Sequence, residues 1–396
     1  MFSKVAMGSV KNSSMIRKMF AEGEKLSKLY GEENVFDFSI GNPYKEPPVA
    51  VKNRIKELVD EPGIHRYMPN AGFPDVREKI ATHVSKTLDF NLSFKNIIMS
   101  SGAAGGLNVV FKSLLNEGEE VITFAPYFVE YGFYAKNHGG VLKVIDTTDN
   151  DFMPDKNKLK EALTDKTKIV LINSPNNPSG ALYTRETLKG LAEVLEEFEK
   201  STGNKIFLVS DEPYAEIVYD GHEVPNILGV YKNSIIVTSF SKSLGLAGQR
   251  IGYVAVNPNI ENVDLLMDIM TFSTRTLGFV SASALWQKAV GDCIDELVDI
   301  EDYKEKRDIL CNHLSSLGFK VRKPEGTFYL FPKSPLEDDN EFVKLALKHN
   351  ILVVPGSGFG VPGYFRVSYC VPTEKVNKSL KAWESLAKDI FSILKK

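Results

Sequence analysis

The chain has 396 residues, of which 43% are hydrophobic and 25% charged, and its formal net charge at pH 7 is -3. The length favours two domains, and the near-neutral charge excludes a general electrostatic attraction to nucleic acids or acidic membranes. No apolar run reaches the roughly 18 residues of a membrane span, and the three cysteines and six histidines, none in a metal-ligand or paired spacing, indicate neither a metal site nor a disulfide framework.

The N-terminal residues 1–20 contain basic side chains without the apolar core and cleavage site of a signal peptide. Glu22 and Glu24 follow, and acidic residues are untypical of a transit peptide. We therefore expect a cytoplasmic protein, and we expect residues 1–45 to join a small second domain.

Five uniformly apolar runs dominate the middle of the chain and are typical of buried strands. They are residues 121–126, 168–175, 205–214, 234–241 and 252–256. Amphipathic helical patterns such as 185–200 lie between them. Buried strands that alternate with helices indicate a mostly parallel sheet covered on both faces, so residues 46–290 are predicted to form a large α/β domain.

The pattern changes after residue 290. A helical stretch at 293–318 leads into three short strands at 326–332, 351–356 and 364–370, and an amphipathic helix at 374–395 closes the chain. Residues 291–396 are therefore predicted to form a smaller α+β domain.

Residues 100–115 begin with small side chains and continue as an apolar helix. Such a helix start lets backbone N–H groups approach an anion, although small residues also ease packing against a strand. The sequence contains no P-loop, and the glycines at 356–360 are followed by Val361, which breaks the dinucleotide fingerprint. The sequence therefore argues against a P-loop nucleotide site and a nicotinamide dehydrogenase, while an anion site and simple packing both remain open for residues 100–115.

Asp211 and Lys242 follow two of the buried strands, and ligands of such sheets bind beyond the carboxyl ends of the strands. A carboxylate in this position is costly unless donors or a cation pair with it. Asp211 is therefore either a helix N-cap or the counter-ion of a buried protonated nitrogen. Lys242, which lies between two serines, is either a solvated lysine or a desolvated, neutral nucleophile.

Arg250 follows Lys242 by eight residues and supplies either a fixed charge for a phosphate or a surface charge. Taken together, these features fit pyridoxal phosphate. The phosphate would lie at the helix start and Arg250, the aldehyde at Lys242 and the ring nitrogen at Asp211.

Four motifs in order extend this hypothesis. They are "NNPSG" at 176–180, "DEPY" at 211–214, "SFSKSLGLAGQRIGY" at 239–253 and "YFRVSYC" at 364–370. With them the chain resembles, over nearly its whole length, the class I/II aminotransferases, which are pyridoxal-phosphate enzymes of fold type I. The resemblance implies a large α/β domain with a mostly parallel, seven-stranded type of sheet covered by helices, plus a smaller α+β domain.

The resemblance also implies roles for the cofactor residues. Lys242 is expected to bind the aldehyde and then carry a proton, and Asp211 to keep the ring nitrogen charged. Tyr214 and Asn177 are expected to contact the ring O3′ oxygen, and Phe128 to stack on the ring. The residues expected at the phosphate are Gly102, Ala103, Ala104, Ser239, Ser241, Arg250 and, from the neighbouring subunit of a homodimer, Tyr67.

For the substrate, the resemblance implies that Arg366 and the backbone of Gly41, both in the smaller domain, bind the α-carboxylate. Asn177 is expected beside them. Ala104 stands where some aspartate-specific relatives have a lysine, so a distal carboxylate needs another cation. Arg275, acting across the dimer, is the candidate, and a structural charge at the interface is an equal alternative.

The resemblance favours an aminotransferase that moves an amino group between an L-amino acid and a 2-oxo acid, with aspartate transaminase as the first interpretation. The alternatives are a broad-range, aromatic or alanine aminotransferase and a C–S β-lyase, which would release pyruvate and ammonia without an amino acceptor. A non-catalytic, cofactor-binding sensor is a distant alternative, because no segment of helix-turn-helix size precedes Gly41 and Lys242 is present.

Overall fold

The structure, a computed structural model, describes residues 2–3, 7–8, 10 and 15–394. Parts of the predicted N-terminal segment 1–45 and the last residue of the predicted helix 374–395 therefore lie outside the described residues. Thirteen α-helices and twelve strands are described.

The strands are β1 (Phe36–Asp37), β2 (Ile97–Ser100), β3 (Glu120–Ala125), β4 (Val141–Asp146), β5 (Thr167–Asn173), β6 (Phe207–Asp211), β7 (Ser234–Ser239), β8 (Gly252–Val256), β9 (Tyr329–Leu330), β10 (Ile351–Leu352), β11 (Val354–Pro355) and β12 (Phe365–Ser368). The helices are α1 (Met15–Tyr30), α2 (Val49–Val59), α3 (Pro74–Ser85), α4 (Gly102–Leu114), α5 (Glu130–Asn137), α6 (Lys156–Ala162), α7 (Arg185–Thr202), α8 (Phe240–Ser243), α9 (Val263–Thr276), α10 (Ala284–Asp292), α11 (Ile300–Ser316), α12 (Asp339–Lys348) and α13 (Thr373–Ile393).

A seven-stranded sheet with the order β2-β8-β7-β6-β5-β3-β4 forms the centre of the molecule. Strand β8 runs antiparallel to both of its neighbours, and all other adjacent pairs are parallel. Both faces are covered, because Val170 and Ile172 of β5 belong to a core that includes α7, whereas Ile169 and Leu171 belong to a second core that includes α4 and α9. The prediction of a mostly parallel sheet covered by helices is confirmed.

The five predicted strands of this sheet correspond to β3, β5, β6, β7 and β8, with ends that differ by up to three residues. Strands β2 and β4 were not predicted. Strand β4 lies at the edge of the sheet and is mostly exposed or half-buried, so it lacks a uniformly apolar run. Strand β2 has only four residues, too few for a clear pattern.

The C-terminal part contains a three-stranded antiparallel sheet, β11-β12-β9, and the pair of parallel strands β1 and β10. The pairing of β1 with β10 brings the N-terminal segment onto this part of the chain. The predicted helix 293–318 begins only at Ile300, because the Asp299 side chain accepts a hydrogen bond from the backbone N–H of Asp302 and caps the helix there.

None of the described helices combines the length and the apolar composition that crossing a bilayer requires. In the central sheet, the carboxyl ends of β5, β6 and β7 lie side by side. The predicted motifs at 176–180, 211–214 and 239–253 leave the sheet at this edge, and β9 and β12 come from the C-terminal part to meet them.

Candidate active site

The ends of β5 and β6 are joined by a short chain of hydrogen bonds. Asn173 and Asp211 are paired in register, and Asn173 Nδ2 donates to the Asp211 carbonyl oxygen at 2.7 Å. The backbone N–H of Asn177 donates to Asn173 Oδ1, also at 2.7 Å. Asn173 therefore fixes the loop that carries Asn177 against the strand that carries Asp211.

The Asp211 carboxyl group is buried at the end of β6. Tyr131 donates a short hydrogen bond to its Oδ2 atom, while Oδ1 has no partner among the described residues. Burial raises the pKa of Asp211 to about 7, although the hydrogen bond from Tyr131 acts in the opposite direction. A buried carboxyl oxygen without a partner is satisfied by a cationic N–H donor, so the chemistry of this site fits a protonated ring nitrogen.

Phe128 and Tyr214 lie close to this acid. The ring of Phe128 packs edge-on against Tyr131, with 5.7 Å between the ring centroids. Tyr214 is buried three residues after Asp211, and its hydroxyl lies 2.9 Å from that of Tyr329. Burial raises the pKa of Tyr214 well above its usual value, so this phenol keeps its proton and can donate it in a hydrogen bond.

Lys242 lies in α8, directly after β7. Its Nζ atom donates to the carbonyl oxygen of Gly41 at 2.7 Å and lies 5.4 Å from the centre of the Phe328 ring. Removal from water lowers the pKa of Lys242 to about 8, and the positive charges of Arg366 and Arg250 act in the same direction. A substantial fraction of this amine is therefore neutral at mildly alkaline pH and is available as a nucleophile.

An anion cradle is formed where α4 begins. Ser100, Gly252 and Ser239 are in register across β2, β8 and β7, so the start of α4 lies on the same sheet edge as Ser239 and Ser241. Gly102 is the first residue of α4 and has a φ of 73°. A Cβ atom there would lie 2.7 Å from Nη2 of Arg250, so the glycine leaves room for the guanidinium. The first turn of α4, with Ala103 and Ala104, presents its free N–H groups at this place.

Arg366 is 2% exposed, and its hydrogen-bond partners among the described residues are an amide and a backbone carbonyl group, not a carboxylate. Nη1 donates to Asn177 Oδ1 at 3.0 Å, Nη2 donates to the Ser39 carbonyl oxygen at 2.6 Å, and Nε lacks a partner within the described part of the chain. The guanidinium also lies 4.5 Å from the centre of the Tyr329 ring. A buried cation held by neutral groups is matched by an anionic ligand such as a carboxylate.

Two residues predicted for the site lie outside it in the single chain. Tyr67 is 95% exposed, and Arg275 is an exposed residue in the last turn of α9, where its guanidinium lies 5.3 Å from the Phe272 ring centre. The single chain brings the remaining predicted residues to one sheet edge and its neighbouring segments.

The structure adds three residues that sequence analysis did not name: Tyr131, Tyr329 and Ser39. Tyr131 follows Phe128 by three residues in an aromatic-rich stretch, which was the one available signal. Tyr329 lies in a stretch that was interpreted only as a strand. Ser39 contacts Arg366 through its backbone carbonyl oxygen. Every residue type has this group, so the sequence gives no sign of the contact.

The chain was compared with known proteins. The family described as "Aminotransferase class I and II" matches residues 33–382. A probable aspartate aminotransferase of Methanocaldococcus jannaschii is 33% identical over 365 residues, which cover 90% of this chain and 93% of that protein. The crystal structure of an amino transferase from Eubacterium rectale is 39% identical with a TM-score of 0.95, and covers 98% of this chain and 99% of that one. An aspartate aminotransferase from Thermus thermophilus with maleate is 26% identical with a TM-score of 0.84, covering 94% and 97% respectively.

Proposed function

Because the chain belongs to the class I and II aminotransferases, and is therefore a pyridoxal 5′-phosphate-dependent transaminase, we propose that it moves an amino group between aspartate and 2-oxoglutarate. The observation that carries amino-acid binding is the buried guanidinium of Arg366, which has an unpartnered Nε and matches the α-carboxylate that all amino acids share. A relative named for aspartate and a related structure with maleate, a dicarboxylate, support aspartate as the donor.

The residues of the site fit the cofactor. Pyridoxal phosphate, when bound, supplies an aldehyde that condenses with amines and a ring that accepts the electron pair of a broken Cα–H bond. Asp211 would pair with the ring nitrogen through its free oxygen, and Tyr214 and Asn177 would donate to the O3′ oxygen. Phe128 would cover the ring. The phosphate would be held by Gly102, Ala103, Ala104, Ser239, Ser241 and Arg250.

Lys242 is proposed to act at two stages. Its neutral amine would hold the cofactor by the aldehyde, and once the substrate amine has displaced it, the same Nζ atom would take the proton from the substrate Cα. The lowered pKa of Lys242, about 8, suits both tasks, because the amine accepts and releases a proton near neutral pH.

Arg366 is proposed to bind the substrate α-carboxylate together with the backbone N–H of Gly41. The hydrogen bonds to Asn177 and Ser39 use two of its five N–H groups, hold the guanidinium in one orientation, and leave Nε and further N–H groups for a ligand. Bidentate pairing of this kind orients the Cα–H bond and helps to exclude water.

The domain division at 1–45, 46–290 and 291–396 remains part of the proposal. The parallel pairing of β1 with β10 supports the grouping of the N-terminal segment with the C-terminal domain. The backbone N–H of Ser368 also donates to the Phe38 carbonyl oxygen at 2.8 Å. Carboxylate binding by Arg366 and Gly41 would then draw this domain over the cofactor.

A homodimer completes the proposed site. Leu265, Ile269 and Phe272 form an exposed apolar stripe on one face of α9, with exposed fractions of 59%, 39% and 56%. A second copy that covers this face would bring its own Tyr67 to the phosphate and its own Arg275 to a distal carboxylate. Arg275 as a purely structural interface charge remains the alternative.

The three buried, unpaired cysteines support a reducing compartment, and we propose the cytoplasm.

A half-reaction screen tests the substrate. Each common amino acid is added to the cofactor-loaded enzyme without an acceptor, and the absorbance of the lysine-linked cofactor is followed. Aspartate and glutamate are expected to react fastest, and the Lys242→Ala enzyme is the control. A preference for aromatic amino acids or alanine would replace the aspartate assignment, and pyruvate and ammonia released without an acceptor would establish the β-lyase.

The Arg366→Lys variant tests the observation that carries the proposal. Lysine keeps the positive charge but loses the two-pronged geometry, so the KM for aspartate should rise about 10- to 100-fold. An unchanged KM would remove Arg366 from the substrate site.

A further inference from the structure

Tyr329 is a buried residue of β9 that touches three parts of the site and has no role in the function proposed above. Its hydroxyl lies 2.9 Å from that of Tyr214, and its ring centre lies 4.5 Å from Cζ of Arg366. A Cβ atom at position 41 would overlap the Tyr329 hydroxyl. The hydroxyl can therefore occupy its position only because residue 41 is a glycine.

The direction of the hydrogen bond between the two phenols follows from the role of Tyr214. If Tyr214 donates its proton to the cofactor O3′ oxygen, its own oxygen is the acceptor for Tyr329. Either hydroxyl can be the donor. Without the cofactor, the bond raises the pKa of Tyr214 and lowers that of Tyr329, the pattern of Tyr214 as donor, so cofactor binding would reverse the bond. A donor to the Tyr214 oxygen polarises its O–H group and strengthens the next hydrogen bond in the chain.

The ring of Tyr329 acts at the other end of the site. An arginine that lies over an aromatic face is stabilised by the ring quadrupole, and the effect is larger away from water. Cζ of Arg366 lies over the rings of both Tyr329 and Phe359, at 4.5 Å and 4.8 Å from their centres. Tyr329 therefore contributes to the orientation of the guanidinium as well as to the hydrogen bond at Tyr214.

We propose that Tyr329 is a positioning residue with two separable functions: its hydroxyl strengthens the hydrogen bond from Tyr214 to the cofactor, and its ring supports Arg366 beneath the substrate carboxylate. This inference rests on the proposed function, because it needs the cofactor at Lys242 and a carboxylate at Arg366.

Two variants separate the two functions. Tyr329→Phe keeps the ring and removes only the hydroxyl. The deprotonated lysine–cofactor linkage leaves the O3′ oxygen with its full negative charge, and a weaker donor at Tyr214 stabilises that form less. The pKa of the linkage, read from its absorbance between pH 5 and 10, should rise by roughly 0.3 to 0.5 units. The dissociation constant of maleate should stay within about twofold, because the ring is retained.

Tyr329→Leu removes the ring as well. The dissociation constant of maleate and the KM for aspartate should then rise about 5- to 30-fold, while the pKa of the linkage shifts as in Tyr329→Phe. Tyr231→Phe is the matched control, because Tyr231 is buried and donates to the Ile206 carbonyl oxygen at 3.0 Å, at the opposite end of β6. It should change neither quantity.

The outcomes separate the inference from the function on which it rests. An unmodified enzyme with no titrating absorbance band would overturn the cofactor site and the inference together. A normal titration with the same pKa in Tyr329→Phe, or the same maleate affinity in Tyr329→Leu, would overturn the role of Tyr329 alone.

Discussion

The lowered pKa of Lys242 comes mainly from burial; Arg366 and Arg250 act in the same direction, and Cys370 opposes them. Removal from water is the largest cause of its lowered pKa, and the amine is held on the carbonyl oxygen of Gly41. Burial within the fold is therefore the main reason why this amine can lose its proton. Substitutions far from Lys242 that admit water should raise its pKa and slow its proposed reactions.

Lys242→Ala tests this residue directly. Turnover should fall by about 10³-fold or more, because both the attachment of the cofactor and the proton transfer are lost. Borohydride reduction followed by peptide mapping should label Lys242 in the unmodified enzyme and no residue in the variant. A label on another lysine would contradict the assignment.

Asp211 gives a prediction for the cofactor-free protein. Its pKa is 3.8 when unfolded and about 7 when folded, so the folded state binds more protons between these values. The stabilisation is present below pH 3.8 and is lost as the pH rises through about 7. Glu212 acts in the same direction, because burial raises its pKa to about 8.

The Asp211→Asn variant should therefore lose less stability than the unmodified protein between about pH 5 and about pH 7.5, a range that includes the folded pKa of Asp211. Urea unfolding of both cofactor-free proteins at the two pH values measures the difference. Parallel pH profiles would show that Asp211 is not the titrating group.

At the scale of single elements, the start of α4 depends on a glycine for two reasons. Gly102 has a positive φ, and its missing side chain leaves room for the Arg250 guanidinium. Gly118 has a similar φ of 81° but no neighbouring atom within 4 Å of a built Cβ. Replacement by alanine would therefore strain the backbone at both glycines, but only at Gly102 would the new side chain collide with Arg250.

Gly102→Ala should weaken binding of pyridoxal phosphate by about 10- to 100-fold, since the new methyl group would displace Arg250, which we propose binds the phosphate. Gly118→Ala carries a similar backbone cost of about 1 kcal/mol or more but leaves Arg250 in place. Cofactor dissociation constants and unfolding free energies of both variants measure the two effects. Equal cofactor affinities would show that Arg250 does not hold the phosphate.

At the scale of the whole molecule, the exposed face of α9 predicts assembly. Phe272→Glu places a charge in the apolar stripe, so the protein should become monomeric in sedimentation experiments and lose more than about 10-fold of its activity. Ile393→Glu is the control, because Ile393 is 52% exposed near the end of α13 and lies outside the stripe. A Phe272→Glu protein that remains dimeric would place the interface elsewhere.

How much of this molecule could be predicted from sequence depends on the range of the interactions. The positions of Asp211 and Lys242 at neighbouring strand ends follow from local apolar patterns, which the chain displays clearly. The hydrogen bonds of Tyr131 to Asp211 and of Arg366 to Ser39 join residues 80 and 327 positions apart. In the sequence, Tyr131 cannot be distinguished from any core aromatic residue, and the backbone contact of Ser39 cannot be seen at all. Strand β4 was not predicted because an edge strand needs no uniformly apolar run.

The hydrogen bond from Arg366 to the carbonyl oxygen of Ser39 also has a consequence for biosynthesis. At about 5–20 residues per second, a ribosome needs roughly half a minute to reach the arginine after it has made the serine. The central strands, from Ile97 to Val256, are made during that interval, but until Arg366 is added the nascent polypeptide lacks the proposed carboxylate site. Amino acids can begin to stabilise this protein only when translation is nearly finished.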